Sequence, residues 1–275
     1  MKKSLLLAVF ALFFAVFDAA AQGDYRLDKN IMYRPDLQAD EYANKMCRLD
    51  VYAPANAKDA PVIVWFHGGG FTGGERDLPG QLQNKGFIIA TVDYRLSPSV
   101  KVADCFDDGA AAVAWVIKNL EKYGGSPKKV YLAGHSAGAT LILMLGLDKH
   151  YLAKYGVDAD GMAALLPYSS QMVTHYTARK ERGIPDTQPI IDELAPLYHV
   201  RPDAPPIILT TGQRENELLG RYEENAYFWR MMKIVGHPDI TLYEFGGFDH
   251  GNMPLPAHDI TVRYIRERER AARGN

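Results

Sequence analysis

The feature that most constrains the fold of this chain is a regular alternation of short apolar runs with longer helical stretches. Seven apolar runs read as strands: Met46–Tyr52, Val62–Phe66, Phe87–Tyr94, Val130–Ala133, Met162–Pro167, Pro206–Thr211 and Ile240–Phe245. Four stretches read as helices: Ala103–Tyr123, Ala139–Leu147, Tyr222–Val235 and Ala257–Ala272. Strands that alternate with helices of this length predict βαβ units, and hence an α/β fold with a mainly parallel sheet. The first strands have no helices between them, which predicts an antiparallel edge.

A serine lies between two glycines where one predicted strand meets a helix. The segment Gly134-His135-Ser136-Ala137-Gly138 joins the strand that begins at Val130 to the helix that begins at Ala139. Glycine lacks the Cβ atom that would clash in a sharp strand-to-helix turn. A G-x-S-x-G pattern in this context is typical of a nucleophile elbow, which exposes a serine hydroxyl at the edge of a sheet. The alternative is a glycine-rich turn in which Ser136 only caps the helix.

A second glycine run follows another apolar strand. The segment His67-Gly68-Gly69-Gly70-Phe71 comes directly after the strand Val62–Phe66. Without side chains in the way, backbone N–H groups of such a loop can converge on one point. In acyl transfer, donors of this kind stabilise the oxyanion that develops on the carbonyl oxygen. The two glycine segments together therefore point to acyl-transfer chemistry.

The first 21 residues are typical of a secretory signal peptide. Lys2 and Lys3 precede an apolar run from Leu5 to Phe17, and Ala19-Ala20-Ala21 supplies small residues for cleavage. The run is too short to span a bilayer comfortably. We therefore predict cleavage before Gln22, export to the periplasm or the medium, and a single domain over residues 22–275 with no stable membrane association.

Charge and cysteine content exclude several other classes of protein. The formal net charge is −2, and the one arginine-rich stretch, Arg263 to Arg273, also contains Glu267 and Glu269. That stretch reads as a solvated terminal helix, so nucleic acid is not an expected partner. Two cysteines, Cys47 and Cys105, do not make a disulfide framework, and whether they form a bond is left open. With no metal-ligand spacing or cofactor motif, we expect neither a metal nor a cofactor.

The two glycine segments, with the stretch Asp93 to Pro98 between them, resemble the α/β-hydrolase esterases of the hormone-sensitive-lipase and bacterial feruloyl-esterase-like groups. The resemblance covers nearly all of the chain after the signal peptide. It implies an α/β-hydrolase fold, with a mainly parallel central sheet flanked by helices. It also implies that Ser136 is the nucleophile, and that the N–H groups of Gly69, Gly70 and Ala137 form the oxyanion hole.

The nucleophile needs a base, and the base needs an acid that orients it. The family's order along the chain is serine, acid, histidine. His250 lies in a glycine-rich loop after the last predicted strand and is the predicted base. Glu215 follows the strand Pro206–Thr211 at the spacing that the family uses for its acid, and is the predicted acid. Glu217 is the alternative.

Two other regions carry predictions. Between Ser169 and Asp203 the alternation gives way to prolines, glycines and charged residues, which predicts a small insertion or lid over residues 170–203 near the site. Arg95, Asp107 and Asp108 are predicted to form a structural ion pair near the elbow rather than to take part in catalysis.

These features predict a secreted serine hydrolase that cleaves carboxylic esters through an acyl-enzyme. The resemblance implies short-chain or carbohydrate-linked acyl esters, on small molecules or polysaccharides. Two alternatives stay open. A serine exopeptidase of the prolyl-oligopeptidase type shares the fold and the triad, and a non-catalytic relative of the same fold would bind a ligand without hydrolysing it.

Overall fold

Eight strands build one sheet in the computed structural model, which describes residues 24–218 and 220–274. The predicted signal peptide lies outside the described residues. The strands are β1 (Tyr25–Met32), β2 (Arg48–Pro54), β3 (Ala60–Phe66), β4 (Ile88–Val92), β5 (Gly125–His135), β6 (Ala164–Tyr168), β7 (Ile207–Gly212) and β8 (Ile240–Phe245). Their order across the sheet is β1-β2-β4-β3-β5-β6-β7-β8. β2 runs antiparallel to both β1 and β4, and every other neighbouring pair is parallel.

Helices connect the parallel strands and cover both faces of the sheet. They are α1 (Glu41–Met46), α2 (Val102–Tyr123), α3 (Ala137–Leu147), α4 (Lys149–Ala153), α5 (Tyr176–Lys180), α6 (Arg221–Ile234) and α7 (Pro254–Arg273). Buried residues of α2, α3 and α6 pack on one face of the sheet, and those of α7 pack on the other. This architecture confirms the predicted α/β-hydrolase fold, including its antiparallel edge. In the described part of the chain, no helix is both long enough and apolar enough to cross a bilayer.

Strand β3 illustrates why the central strands read as continuous apolar runs. All seven of its residues are buried. Val62, Val64 and Phe66 belong to the core on the side of α2 and α3, whereas Ile63 and Trp65 belong to the core on the side of α7. A strand covered on both faces buries both sets of alternating side chains, so no polar face remains in its sequence.

The predicted structural ion pair is present and involves a further arginine. Arg95 Nε donates to Asp108 Oδ2 at 2.8 Å, and Arg34 Nη1 donates to Asp108 Oδ1 at the same distance. The Asp108 side chain is fully buried. Asp107 instead accepts from Arg34 and from Lys154. Two guanidinium groups therefore pair with the buried carboxylate.

The two cysteines are free thiols. Cys47 caps the end of α1 and Cys105 lies in α2, and both are fully buried. Burial raises the pKa of both thiols, that of Cys47 to about 12. The question left open by the sequence is thus answered in favour of two separate, protonated thiols.

The predicted insertion over residues 170–203 divides into two parts. Residues 170–179 are buried apart from Tyr176, whereas most of residues 182–191 are exposed. The first part includes the start of α5 and packs into the domain beside the glycine loop after β3. It therefore belongs to the wall of the candidate site.

Candidate active site

Ser136 occupies a sharp turn between β5 and α3. Its backbone has φ 55° and ψ −114°, in a region that residues with side chains rarely adopt. The Ser136 N–H donates to the Tyr168 carbonyl at 2.8 Å, which ties the turn to β6. A Cβ atom on Gly138 would lie 2.2 Å from the Phe66 carbonyl oxygen, so a glycine is needed there for helix and strand to approach. This is the strained turn that the sequence pattern predicts.

His250 brings the nucleophile and an acid together. The loop after β8 places its Nε2 atom 3.0 Å from Ser136 Oγ. Its Nδ1 atom lies 3.0 Å from Glu217 Oε2 on the opposite side of the ring. With Nδ1 protonated and donating to the carboxylate, Nε2 is free to accept the proton of the serine hydroxyl. The three side chains have the geometry of a serine-hydrolase triad.

The prediction that Glu215 is the acid is wrong, and Glu217 takes its place. Glu215 is exposed, whereas the Glu217 side chain is completely buried. The cause is a tight turn after β7, in which the N–H groups of Asn216 and Glu217 both donate to the Gln213 carbonyl at 2.9 Å. This turn directs residue 217 back towards the strand end and residue 215 out into solvent. The two-residue difference from the family spacing thus reflects how the chain coils after the strand.

Glu217 is held as a carboxylate by four donors. Besides the His250 ring, the Gly212 N–H donates to Oε1 and the Ser169 hydroxyl donates to Oε2, each at 2.9 Å, and the Leu218 N–H donates to Oε2 at 3.1 Å. Burial by itself raises the pKa of Glu217, but these hydrogen bonds and the charge of His250 outweigh it and lower the pKa to about 2. With a pKa this low, the carboxyl group beside His250 is ionised at neutral pH.

Ser169 is a site residue that the sequence did not reveal. It follows β6 directly, is fully buried and has a positive φ of 52°. Its Oγ lies 2.9 Å from Glu217 Oε2 and 2.8 Å from His250 Nδ1, so it contacts both members of the acid–base pair. The Arg221 Nη1 atom donates to its carbonyl at 2.7 Å, and its own N–H donates to the Thr210 carbonyl. Both backbone groups of Ser169, its N–H and its carbonyl, are thus hydrogen-bonded to neighbouring elements.

His135, the residue before the nucleophile, supports the catalytic loop. Its Nε2 atom donates to the His250 carbonyl oxygen at 2.9 Å. Burial, with the nearby charge of His250, lowers the pKa of His135 to about 4. A neutral imidazole at this position keeps its Nε2–H available and adds no second positive charge beside the base.

The glycine loop after β3 presents unused donors next to the elbow. Gly69, Gly70 and Phe71 have φ values of 106°, 65° and 60°, a backbone path that glycine adopts readily at the first two positions. Within residues 24–218 and 220–274, no acceptor receives the N–H of Gly69, Gly70 or Ala137. The predicted oxyanion-hole donors are therefore free to bind a ligand oxygen.

Helix α5 forms the wall beside this loop. The Thr177 hydroxyl donates to the Gly70 carbonyl at 2.5 Å, which joins helix and loop. A Cβ atom on Gly70 would lie 2.0 Å from the Tyr176 hydroxyl, so the phenol lies against the bare face of that glycine. Behind it, the buried rings of Phe71 and His175 meet edge to face, with centroids 4.7 Å apart. Tyr176 is thus an exposed side chain in direct contact with the glycine loop.

The described residues offer no evident place for a metal ion. No group of three or more His, Cys, Asp or Glu side chains in residues 24–218 and 220–274 is arranged to hold one.

The chain has the α/β-hydrolase fold, and Ser136, His250 and Glu217 are arranged at its nucleophile elbow in the geometry of a serine-hydrolase triad. Residues 49–155 match the family model BD-FAE, which describes a family of α/β-hydrolase esterases. The matched segment contains the glycine loop, the elbow and the helix after it. The resemblance to α/β-hydrolase esterases that the sequence indicates is thereby confirmed.

Several curated esterases resemble parts of the chain. A probable isoprenylcysteine alpha-carbonyl methylesterase of Oryza sativa is 36% identical over 34% of this chain and 23% of its own length. The gut esterase 1 of Caenorhabditis elegans is 31% identical over 48% of this chain and 26% of its own length. The esterase LipC of Mycobacterium tuberculosis is 26% identical over 70% of this chain and 53% of its own length. The chain thus spans between about a quarter and about a half of these relatives.

Solved structures agree with the fold over most of the chain. Esterase 2 of Thermogutta terrifontis, phosphonylated by sarin, superposes with a TM-score of 0.67 at 23% identity, over 80% of this chain and 89% of that one. Its form without ligand gives a TM-score of 0.66 at 24% identity and the same coverage. At this level of identity the likeness establishes the α/β-hydrolase fold.

Proposed function

We propose that this protein is an exported serine esterase that hydrolyses short-chain or carbohydrate-linked carboxylic esters through an acyl-enzyme. The observation that carries the proposal is the position of His250, with Ser136 Oγ and Glu217 Oε2 each 3.0 Å from its ring nitrogens. Esterases among the relatives and the match to an esterase family model support the reaction class.

Acylation begins when Ser136 Oγ bonds to the ester carbonyl carbon while His250 Nε2 takes the hydroxyl proton. The ionised Glu217 stabilises the imidazolium that forms, and the N–H groups of Gly69, Gly70 and Ala137 bind the oxyanion. The tetrahedral intermediate then collapses. Its bond to the alcohol oxygen breaks, His250 gives its proton to that oxygen, and the acyl group stays on Ser136.

Deacylation repeats these steps with water as the nucleophile. His250 takes a proton from a water molecule whose oxygen bonds to the acyl carbon. Collapse of the second intermediate breaks the bond to Ser136 Oγ, which recovers its proton from His250. The carboxylic acid leaves, and the enzyme returns to its starting state.

The contacts of α5 support a preference for short acyl groups. The Tyr176 hydroxyl lies against Gly70, and the rings of Phe71 and His175 fill the space behind it. A long acyl chain in this direction would have to displace packed aromatic rings. We expect activity on p-nitrophenyl acetate and butyrate to exceed that on the decanoate, and Tyr176→Ala to shift the optimum towards longer chains. An optimum above about ten carbons in the wild type would contradict this part of the proposal.

Export and a carbohydrate-linked substrate rest on sequence features. The charged start, the apolar run and the alanines before Gln22 support export. The similarity to feruloyl-esterase-like proteins supports an acyl group attached to a sugar. N-terminal sequencing of the mature protein should begin at or near Gln22, and a membrane-bound chain with Met1 intact would contradict export. Comparing acetylated and feruloylated saccharides with simple alkyl esters tests the substrate class.

Replacement of Ser136 is the direct test of the reaction. Ser136→Ala should lower kcat on p-nitrophenyl acetate by at least about a thousandfold and abolish labelling by a fluorophosphonate probe. Ser126→Ala, which alters another buried serine at the far end of β5, serves as the matched control. Undiminished hydrolysis by folded Ser136→Ala protein would refute the proposal. Faster cleavage of an aminoacyl p-nitroanilide than of the ester would instead favour the exopeptidase alternative.

A further inference from the structure

A groove near the amino-terminal ends of β3 and β4, away from the triad at the carboxyl ends of the strands, is lined mainly by cations. Its volume is about 740 Å3, and its charged lining consists of Lys85, Asp259, Arg263, Arg266, Glu269 and the two last arginines of α7, Arg270 and Arg273. The floor is apolar and includes Pro61 at the start of β3 and Phe87 just before β4. Pro61 is five residues before the end of β3, which places the groove about 17 Å from the glycine loop.

The four arginines form a straight stripe on α7. They are separated by three, four and three residues, a spacing that puts them on one face of a helix. At a rise of 1.5 Å per residue, the stripe is about 15 Å long. Lys85 comes from the loop before β4, so a second element adds a positive charge to the groove.

These cations are not neutralised by the protein. Among residues 24–218 and 220–274, none of the five has a carboxylate oxygen within 4.0 Å, whereas Arg268 on another face of α7 pairs with Asp239. Of the two carboxylates in the groove, Glu269 already pairs with Lys129 at 2.9 Å. The lining therefore contains five positive charges and two negative ones, and one of the two negative charges is already paired outside the stripe.

A solvated helix end accounts for only part of this arrangement. Arginines in the last turn of a helix are favoured by its dipole, which applies to Arg270 and Arg273. It does not apply to Arg263 in the middle of α7 or to Lys85 on a different element. Like charges three or four residues apart repel each other on a helix, and the acidic residues of the same segment, Asp259, Glu267 and Glu269, offset only part of that repulsion because they are fewer than the cations. A bound polyanion would offset that repulsion.

The chemistry of the lining selects among polyanions. Single-stranded nucleic acid binds through exposed aromatic rings on which its bases stack, but Phe87, the aromatic side chain of the groove, is only 3% exposed. A bilayer surface requires apolar side chains beside the cations, and none of the large exposed apolar side chains of the described residues lines the groove. Guanidinium groups bind carboxylates through two parallel hydrogen bonds, and four of them in a row match a linear chain of carboxylates.

We infer that this arginine groove is a docking site for an acidic polysaccharide that bears a carboxylate on successive sugar rings. A polymer bound in the arginine groove leaves the triad, at the carboxyl ends of the strands, accessible to substrate. A protein held on a polymer in this way meets substrates attached to the same material at a raised local concentration. The inference concerns binding and does not require the esterase reaction.

The test measures binding of polygalacturonate by affinity electrophoresis and calorimetry. The triple variant Arg263→Gln/Arg266→Gln/Arg270→Gln should weaken binding at least tenfold, and raising the salt concentration should weaken wild-type binding. Arg268→Gln, on the same helix but outside the groove, is the matched control and should bind like the wild type. Ser136→Ala should also bind like the wild type, which separates docking from catalysis. Hydrolysis of p-nitrophenyl acetate by the triple variant should be unchanged.

Three outcomes would overturn the inference. One is the absence of polygalacturonate binding, or binding that a fully methyl-esterified polymer matches. Another is an equal loss of binding in Arg268→Gln and in the triple variant. The third is binding to single-stranded DNA or to phosphatidylserine vesicles at least as tight as binding to polygalacturonate. A thermal melt of each variant confirms that any loss of binding occurs in folded protein.

Discussion

The choice between Glu217 and Glu215 gives the sharpest test of the site. Glu217→Gln keeps the size of the side chain but removes its charge, and its amide can donate a hydrogen bond towards His250 Nδ1. That favours the tautomer in which Nε2 carries the proton, and such an Nε2 cannot accept the proton of Ser136. Glu215→Gln changes an exposed side chain outside the triad. We therefore expect the first variant to lose activity and the second to retain it.

The size of the loss follows from the environment of the carboxylate. Its donors lower the pKa of Glu217 from the usual 4.5 to about 2 against the effect of burial. This lowering of the pKa corresponds to about 3 kcal/mol of preference for the ionised form. If a similar energy stabilises the imidazolium in the transition state, losing it costs about two orders of magnitude in kcat. The wrong tautomer adds to this, so Glu217→Gln should lower kcat by about three to four orders of magnitude.

The assay is the kcat for p-nitrophenyl acetate, with protein concentration corrected by active-site titration and folding checked by thermal melting. Glu215→Gln should stay within about twofold of the wild type, as expected for a surface substitution. The argument fails if Glu217→Gln stays within tenfold of the wild type. It also fails if Glu215→Gln is the variant with the larger loss, because the coiling of the turn after β7 would then differ from the one described.

Three further predictions concern residues around the triad. Ser169→Ala removes a hydroxyl that contacts both Glu217 and His250, and it should lower kcat about tenfold at nearly constant KM. Ser170→Ala, which changes the next serine along the chain, should leave kcat unchanged. Equal losses in the two variants would contradict a positioning role for Ser169. Gly70→Val places a side chain against the phenol of α5 and should lower kcat at least about a hundredfold, so a kcat close to wild type would show that this loop carries no oxyanion donor. Burial lowers the pKa of His258 to about 4, so the unfolded chain binds more protons between pH 6.5 and 4 and stability falls as the pH falls through this range. His258→Asn should remove up to about 3 kcal/mol of that pH dependence in denaturant titrations, and an unchanged slope would refute the assignment.

Most of the fold could be predicted because its central strands are buried on both faces. Val62–Phe66 is an unbroken apolar sequence and Pro206–Thr211 is apolar up to two β-branched threonines, as this burial requires, and both agree with observed strands to within two residues at each end. Strand β1 was not predicted. Its sequence from Tyr25 to Met32 contains four charged or amide side chains, because it lies at the sheet edge and none of its residues is fully buried. Edge strands of this kind lack the apolar signal that central strands carry.

The candidate site could be predicted only where a local motif carries the geometry. The elbow and the glycine loop each need glycine within a few residues of the functional atom, so their positions can be read from the sequence. The acid has no such signal, because its direction depends on how residues 213–217 coil after β7. Ser169 has none either. It reaches the pair only because β6 lies between β5 and β7, which is a property of strand order and not of local sequence.

The two free cysteines can report local opening of the protein. Cys47 and Cys105 sit where α1 and α2 meet the antiparallel edge of the sheet, and both are enclosed and protonated. A thiol reagent can modify them only in molecules in which that region has opened. The ratio of the labelling rate in the native protein to that in the unfolded chain therefore measures the free energy of opening. Opening of this part of the protein can thus be followed under native conditions without introducing a cysteine by mutation.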